Sequence, residues 1–505
     1  MKRLTWHKHH KWFGLAVCFF MLMFSLSGIV LNHRTMVSGV NVSRRWLPSR
    51  YRFHDWNGGL MRGTVRFDST RTLIYGAGGM WLANADGSVI EDFNGGLPAG
   101  ADCRNIRRVL KSERGQWAAV SPFGLYLLRN GRWTHTAFGE RLTDIAQRGD
   151  TLVVLGRSFA YSSIYPYREF RRHQLAAPDG YESRVTLFRQ MWLLHSGELF
   201  GTSGKLVVDG IALVIIALSV TGFICWLPER RGKSRRKGGG VEPANAPNDK
   251  AADGTGLMHA PCATARRTPL GAMKRWSARW HDRLGRWTIA LTLLLCLTGW
   301  CLRPPLMIPL VMNSTEPPPG IALSGPNKWH DKLRMIAFDE EFGDWLVSTS
   351  DGFFAFSGPE AAPVPVRGAP PVSVMGLNVL HKDGDGNWLC GSFSGMYRFD
   401  RSRGVATDFF TGEPVAGGGS SPFGLTAVSG YSGELGAVVE YGGGTGCIPQ
   451  PERLATLPMS LWNVALEVHS GRIYIGDLAT MLFVFVAGGC AMWCLWSGWR
   501  IRKRR

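Results

Sequence analysis

The stretch that decides the fold is HKWFGLAVCFFMLMFSLSG, residues 10–28, which returns as HDRLGRWTIALTLLLCLTG at residues 281–299. In both copies a histidine is followed four residues later by a glycine, and an apolar run then ends in Ser-Gly or Thr-Gly. The histidine and that Ser or Thr are 17 residues apart each time. Apolar runs of this length are typical of membrane-spanning helices. The recurrence predicts two tandem copies of one membrane unit.

A second pair of segments repeats in the same order. LHSG at residues 194–197 precedes an apolar run with Thr221-Gly222, and VHSG at residues 468–471 precedes one with Ser497-Gly498. We therefore expect four transmembrane helices. If both copies start on the same side, a pseudo-twofold axis along the membrane normal should relate them. The apolar runs that carry these helices are residues 13–31, 206–227, 287–302 and 475–496.

The formal net charge of +20 is concentrated beside the apolar runs. Residues 1–12, 228–286 and 500–505 hold 23 Lys and Arg against five acidic residues. Basic residues that flank membrane spans mark the cytoplasmic side, so this distribution favours a membrane topology over a nucleic-acid-binding face. It predicts a multi-pass protein of the bacterial inner (cytoplasmic) membrane, with both termini in the cytoplasm and two large segments in the periplasm.

The predicted fold class is membrane α plus β, with four helices in two tandem repeats and periplasmic all-β, propeller-like domains. The linker between the copies contains RRGKSRRKGGG and has no hydrophobic period, so it is predicted to be disordered. The predicted boundaries are transmembrane helix 1 with a cytoplasmic N-terminus at 1–34, a β domain at 35–190, helix 2 at 191–228, the basic linker at 229–272, helix 3 at 273–303, a β domain at 304–465, and helix 4 with a basic tail at 466–505.

The two outer segments carry a shorter repeat, in which a strand that begins with Trp is followed by Ser or Thr, a Gly turn and an alternating apolar strand. It starts at Trp117, Trp345 and Trp388, with degenerate copies near Gly79 and over residues 152–161. Such hairpins about 40 residues apart suggest propeller blades. Each segment has too few blades to close alone, so the two segments either complete one propeller together or form two separate antiparallel β domains.

Ten cysteines are scattered along the chain without a CxxC pair. Those inside the apolar runs are expected to be small buried hydrophobes. Cys390 and Cys447 are the only two in one outer segment, where a disulfide is permitted.

Five of the 13 histidines stand at predicted helix ends: His10, His33, His195, His281 and His469. A single interfacial histidine is usually a solvated anchor, but the repeat relates His10 to His281 and His195 to His469. Two imidazoles on opposite sides of a symmetry axis are the ligand set of a bis-His haem. His33 lies roughly 34 Å along its helix from His10, so it competes as a ligand in the outer pair.

The first helices "HKWFG…LSG" and "HDRLG…LTG", with the second helices "LHSGELFG…TGF" and "VHSGRIYIG…SGW", resemble the PepSY-associated transmembrane helix family. That family includes inner-membrane ferric-siderophore reductases that bind b-type haem. The resemblance implies one or two haem b groups held by His10, His281, His195 and His469. It also implies electron transfer from the cytoplasm to a periplasmic ferric-siderophore-like substrate. The outer segments depart from the family, because they contain blade-like repeats rather than a PepSY-like segment.

No dinucleotide, Walker A or flavin motif occurs, so the electrons must come from a separate donor, a quinol or a cytoplasmic reductant. Two other function classes stay open. The chain could be a membrane-anchored sensing or binding module, in which the propeller-like part recognises a ligand. It could also be a transporter, although the spans offer few acidic groups to carry an ion.

Overall fold

A computed structural model describes residues 3–84, 87, 90–227, 269–321, 323–371, 373, 375–415 and 426–501. The chain divides into two compact units. The helical unit comprises Met1–Leu26, Asp209–Trp300 and Phe485–Arg505. The β unit comprises Ser27–Val208 and Cys301–Val484, and it therefore draws on both predicted outer segments.

Ten α-helices occur in the described residues. Three helical stretches are each long and apolar enough to cross a membrane: Leu4–Asn32, Glu198–Trp226 and Ala479–Arg500. They coincide with the first, second and fourth predicted spans. The helices are α1 (Arg3–Asn32), α2 (Arg34–Val37), α3 (Leu187–Ser196), α4 (Gly201–Trp226), α5 (Pro269–Trp287), α6 (Ile289–Cys301), α7 (Met307–Met312), α8 (Glu452–Ala455), α9 (Leu461–His469) and α10 (Asp477–Arg500).

The third predicted span is broken. Helices α5 and α6 meet at Thr288 with a bend of 73°. Helix α5 is amphipathic and rich in Trp and Arg, whereas α6 is apolar along its 13 residues. Thirteen residues of helix extend about 20 Å, which is less than the bilayer core of roughly 30 Å. A fourth crossing therefore requires α5 and α6 to act together as one span.

Within the described residues, the β-strands all lie in the β unit. The strands are β1 (Asn41–Val42), β2 (Gly63–Arg66), β3 (Arg71–Gly76), β4 (Gly79–Asn84), β5 (Ile90–Asp92), β6 (Arg108–Lys111), β7 (Trp117–Ser121), β8 (Gly124–Arg129), β9 (Arg132–Thr136), β10 (Leu142–Arg148), β11 (Thr151–Gly156), β12 (Ala160–Ile164), β13 (Arg171–His173), β14 (Val185–Thr186), β15 (Ser314–Thr315), β16 (Leu333–Asp339), β17 (Asp344–Thr349), β18 (Gly352–Phe356), β19 (Val364–Pro365), β20 (Leu377–Lys382), β21 (Trp388–Ser392), β22 (Gly395–Asp400), β23 (Val405–Asp408), β24 (Pro414–Val415), β25 (Val428–Ser432), β26 (Ala437–Glu440) and β27 (Met459–Ser460).

The predicted Trp-to-Gly repeats are antiparallel hairpins with two-residue turns. Ser121 pairs with Gly124 at the end of β7 and β8, and β17–β18 and β21–β22 turn in the same way. The tryptophan at the start of β7 and of β21 is buried, because residues on one face of each strand fill the core between sheets. The degenerate copies also form hairpins, β3–β4 and β11–β12.

The two outer segments share one structure rather than forming two separate β domains. Gly63 of β2 pairs in parallel with Tyr431 of β25, so that one sheet has the order β26-β25-β2-β3-β4-β5. The other large sheets are β6–β9, β10–β13, β16–β19 and β20–β24. Hydrophobic clusters also mix the segments, as where Leu155 and Trp329 share a core.

The first strands of successive sheets contact one another around a closed ring. Strand β2 contacts β6, β6 contacts β10, β10 contacts β16, β16 contacts β20, β20 contacts β25, and β25 pairs with β2. The buried carboxylate of Asp144 on β10 connects three of these strands. It accepts hydrogen bonds from Arg108 of β6 at 2.5 Å and from the Ile336 amide of β16 at 2.9 Å. The ring thus joins residues 62–148 to residues 333–440.

Two small two-stranded sheets lead into the short helices α3 and α9. Strand β14 pairs with β15, and β1 pairs with β27. Each pairing is followed at once by a capped helix: the Thr186 hydroxyl accepts from the Arg189 amide at the start of α3, and Ser460 does the same for Asn463 in α9. The same local order of strand, cap and short helix therefore occurs in both copies.

Two further predictions concern the linker and the cysteines. Residues 229–268 of the predicted disordered linker lie outside the described residues, and α5 begins at Pro269, within the predicted linker. Cys390 is buried, Cys447 is exposed, and both thiols are free, so the permitted disulfide is not formed.

Candidate functional site

Two histidines of the helical unit, His10 on α1 and His281 on α5, bring their rings together and form the first histidine pair. The ring centroids lie 5.9 Å apart, and the ring planes are inclined by 66°. The two residues occupy equivalent places in the sequence repeat, one turn before Gly14 and Gly285. Equivalent histidines of the two sequence copies therefore meet at one place in the helical unit.

Both rings of the first pair are held through Nδ1 by a backbone carbonyl. Nδ1 of His10 lies 3.0 Å from the Cys494 carbonyl oxygen on α10, and Nδ1 of His281 lies 3.1 Å from that of Leu218 on α4. A carbonyl oxygen can only accept, so Nδ1 carries the proton in each ring and Nε2 keeps its lone pair. A histidine anchored in this way presents Nε2 as a metal ligand.

Thr221 adds a second contact to His281. Its Oγ lies 3.1 Å from Nδ1 of His281 and donates to the Ala217 carbonyl at 2.6 Å. Because the hydroxyl proton is committed to Ala217, the oxygen accepts from the imidazole N–H. The side chain therefore helps to fix both the tautomer and the orientation of this ring.

The second histidine pair lies in the β unit and consists of His195 and His469. Its ring centroids are also 5.9 Å apart, with an interplanar angle of 50°. Neither residue is on a long apolar helix: His195 is the penultimate residue of α3, and His469 is the last residue of α9. Nδ1 of His469 lies 3.2 Å from the hydroxyl oxygen of Ser27 on α1. The short helices thus turn the repeated histidines toward each other.

The comparison with protein families supports the resemblance that the histidine and glycine spacing suggested. Residues 1–228 match the PepSY-associated TM region. This PepSY-associated TM region runs through α1–α4 and the first outer segment, and it contains His10, His33, His195 and Thr221. His281 and His469 belong to the second copy, beyond the matched residues. His10 and His195 therefore lie in the matched region, whereas their partners His281 and His469 lie in the later sequence copy.

Comparisons beyond the PepSY-associated TM region add little. The search of curated proteins gave no match. Two solved structures are similar, both of the extracellular domain of BT4673 from B. thetaiotaomicron, described once as a hybrid two component system and once as a one component system. They share 10% and 9% identity with this chain, cover 72% and 79% of it, and have TM-scores of 0.32 and 0.31. The chain spans 29% and 38% of their lengths.

Three of the Ser-Gly and Thr-Gly pairs of the sequence repeat pack against histidines. A Cβ on Gly498 would lie 3.0 Å from Cε1 of His10, and one on Gly222 would lie 3.2 Å from Cε1 of His281. Gly28 stands in the same relation to His469, at 3.2 Å. The sequence repeat displayed these pairs, but nothing local in the sequence indicated that each glycine faces a histidine of another helix.

The other glycines of the sequence repeat shape the helices rather than facing the histidines. Gly14 faces Sγ of Cys494 at 3.3 Å, and Gly285 faces Cδ2 of Leu218 at 3.7 Å, measured from an added Cβ. They bring the helices close, so that the carbonyls of Cys494 and Leu218 reach the histidines. Gly197 adopts a left-handed φ of 77° as the C-cap of α3, and Gly471 follows α9 with a φ of 80°. These two glycines end the short helices.

His33 is not one of the two rings of the second pair. It is the residue before the first turn of α2, with a φ of −117° and a ψ of 45°. Its carbonyl accepts a hydrogen bond from the Met36 amide. The competing assignment of His33 as a ligand in the outer pair therefore has to be tested by mutagenesis.

Each histidine pair offers two nitrogen ligands. Within the described ranges, no group of three or more His, Cys, Asp or Glu side chains could hold a metal ion. A metal bound between two imidazoles alone would lack most of its coordination sphere, whereas a macrocycle supplies four equatorial nitrogens and needs only two axial ligands. The ligand count therefore suits a bis-histidine macrocycle better than a bare ion.

Proposed function

We propose that this protein is a haem-binding electron carrier of the bacterial inner membrane that reduces a periplasmic ferric chelate. The observation that carries the proposal is the repeated histidine pair. A metal–imidazole bond is about 2 Å long and the ring centroid lies roughly 1 Å further, so axial imidazoles on one iron have centroids about 6 Å apart. The separation of 5.9 Å in both pairs agrees with this value.

The residues around the first pair also fit a bis-histidine b-type haem. His10 and His281 would hold the haem iron, and their Nδ1 protons are already engaged by the carbonyls of Cys494 and Leu218. Gly498 and Gly222 pack on the ring edges and restrict ring rotation. His195 and His469 would hold a second haem. When bound, haem supplies iron that accepts and releases one electron at a time.

The proposed topology follows the charge distribution. Both termini and the basic linker would face the cytoplasm, and the β unit would face the periplasm. The spans would be α1, α4, α10 and the bent pair α5–α6. A cytoplasmic reductant or a membrane quinol would supply electrons at the first pair, and the second pair would pass them to the chelate.

We further propose that the β unit is a single propeller closed by both outer segments. The ring of contacts from β2 through β6, β10, β16 and β20 to β25, with the parallel β25–β2 pairing, supports this arrangement. Closure removes the sheet edges that an open arrangement would expose. The propeller would form a rigid frame beside the second histidine pair.

The decisive experiment is an optical spectrum of the purified full-length protein after expression with ample haem. We expect a Soret band and, on reduction with dithionite, the sharp α-band of bis-histidine b-type haem, with up to two haems per chain. Stoichiometric haem that is oxidised by ferric citrate or a ferric hydroxamate would support the reductase role. A protein without a Soret band would end the proposal and leave a sensing or binding module as the better reading.

The contact between Thr221 and His281 makes a further prediction. Thr221→Val keeps the side-chain shape but removes the oxygen that accepts from Nδ1. We expect haem at the first pair to bind about tenfold more weakly, the lower end of outer-shell effects, because the Leu218 carbonyl still holds the ring. Haem titration of the apoprotein measures this change. Thr292→Val is the matched control, since Thr292 is buried in the same unit and donates to Thr288 rather than to a histidine.

A further inference from the structure

Four arginines stand at the starts of consecutive strands of the contact ring. Arg62 immediately precedes β2, Arg107 precedes β6, Arg141 precedes β10, and Arg334 is the second residue of β16. Because these strands are neighbours around the ring, their starts bring the four guanidinium groups to a common region. The next ring strand, β20, is preceded by Gly376, against which the side chain of Arg334 packs.

Three more arginines extend this group, which we call the arginine cluster. Arg157 and Arg189 share one carboxylate, that of Asp331, at 2.5 and 2.7 Å. Arg34 pairs with Asp102 at 2.6 Å. The cluster therefore comprises Arg34, Arg62, Arg107, Arg141, Arg157, Arg189 and Arg334.

Positive charge exceeds negative charge in the cluster. In the part of the chain that the structure describes, Arg107, Arg141 and Arg334 have no carboxylate within 4.0 Å, and Nε of Arg107 is buried without a hydrogen-bond partner. Arg62 donates only to neutral oxygens, those of Asn105 and Ile106. Arg62, Arg107, Arg141 and Arg334 are half-buried, and partly desolvated cations without a counterion are costly to a folded protein. Such an arrangement is expected where a ligand supplies the missing negative charge.

The pKa values of the cluster arginines are consistent with this excess of positive charge. Burial, followed by repulsion from Arg141, Arg62, Arg157 and Arg34, lowers the pKa of Arg107 well below its usual range. Burial and neighbouring arginines lower the pKa of Arg141 to about 9 and that of Arg334 to about 9. The side chains of Arg141 and Arg334 are therefore still charged at neutral pH. A bound anion would relieve their mutual repulsion.

The cluster is partly exposed, and two of its members adjoin the elements that carry the second histidine pair. The side chains of Arg34, Arg157 and Arg189 are 18%, 27% and 25% exposed, so part of the cluster is open to solvent. Arg189 is on α3, six residues or about 9 Å before His195. The guanidinium of Arg34 stacks on Trp462 of α9, the helix that ends at His469, at 3.9 Å from the ring centroid.

We infer that the arginine cluster is a binding site for a small polycarboxylate anion. Guanidinium groups bind carboxylates through two parallel N–H···O bonds, and arginines from four different strands suit a ligand with several separate carboxylates better than one compact phosphate. This inference rests on the proposed function and makes it more specific: the ligand is the chelating anion of the iron substrate. The site would hold a negatively charged ferric polycarboxylate beside the second histidine pair.

Iron-free citrate is the probe that tests the site without redox chemistry. We expect isothermal titration of the full-length protein in detergent to detect citrate binding. The dissociation constant should rise at least tenfold in Arg107→Gln and in Arg141→Gln. Arg132→Gln is the matched control, because Arg132 is an exposed residue of β9 outside the cluster. Inorganic phosphate should bind at least tenfold more weakly than citrate.

The outcomes separate the site from the proposed function. Absence of citrate binding to the wild type, or unchanged binding in both cluster variants, would overturn the site. Equal affinity for phosphate would overturn the polycarboxylate assignment. If citrate binds as expected but ferric citrate is not reduced, the site stands and the reductase role fails. The glutamine variants should melt no lower than the wild type without ligand, because each loses a half-buried cation that has no carboxylate partner. This keeps loss of binding distinct from misfolding.

Discussion

Replacing His281 with alanine is expected to abolish haem binding at the first histidine pair. The substitution removes one of two axial nitrogens and leaves a cavity beside Gly222, so a macrocycle would be held from one side only. We expect binding at this pair to weaken by about 100-fold or more, beyond the effect of an outer-shell change. His10→Ala should give the same spectrum. The pyridine haemochrome content per chain and the reduced-minus-oxidised spectrum measure the loss.

His9→Ala is the control for the first pair. His9 precedes His10 on α1, and its Nδ1 accepts from the Trp493 indole at 3.2 Å rather than facing His281. We expect its spectrum to match that of the wild type. Full haem content in both His10→Ala and His281→Ala would contradict the assignment and leave the pair with a structural role only.

The double variant His195→Ala/His469→Ala is expected to lose the second haem and all reduction of ferric chelates, while the first haem stays. The reason is that the second pair would be the last carrier before the substrate. Without it, dithionite would still reduce the first haem, but that haem could not pass its electron to the chelate. Stopped-flow mixing of reduced protein with ferric citrate measures the consequence. The first haem should then stay reduced on the time scale in which the wild type is oxidised.

His33→Ala decides between the two assignments of the outer ligands. With His195 and His469 as the ligands, this variant should keep both haems and the wild-type rate of chelate reduction. If His33→Ala instead loses the second haem and His469→Ala keeps it, the ligand pair is His33 with His195. Ser27→Ala offers a milder test, since it removes the hydroxyl next to Nδ1 of His469 and should weaken haem binding without abolishing it.

Local patterns in the sequence predicted the elements well. Apolar runs gave three of the spans, and the Trp-to-Gly motif gave the hairpins β7–β8, β17–β18 and β21–β22. The repeat also matched His10 with His281 and His195 with His469, whose rings do meet. These predictions succeeded for one reason: hydrophobic periodicity, turn residues and repeats can all be recognised within short segments of the sequence.

The remaining features depend on contacts between distant residues. The pairing of β2 with β25 links Gly63 to Tyr431, and no local signal specifies which strands close a ring. The bend at Thr288 has no proline to mark it, and the apolar run does not indicate it. The same holds for the arginine cluster, because Arg62, Arg107, Arg141 and Arg334 are separated along the chain and converge only when the ring forms.

The β25–β2 pairing also dictates the order of biogenesis. Strand β2 is made early, yet its partner β25 emerges from the ribosome only when most of the chain has been synthesised. Until then the edge of β2 lacks its neighbour, and an unpaired edge invites association with other chains. A chain that ends after residue 228 would keep this edge of β2 unpaired, so we expect it to associate with other copies of itself.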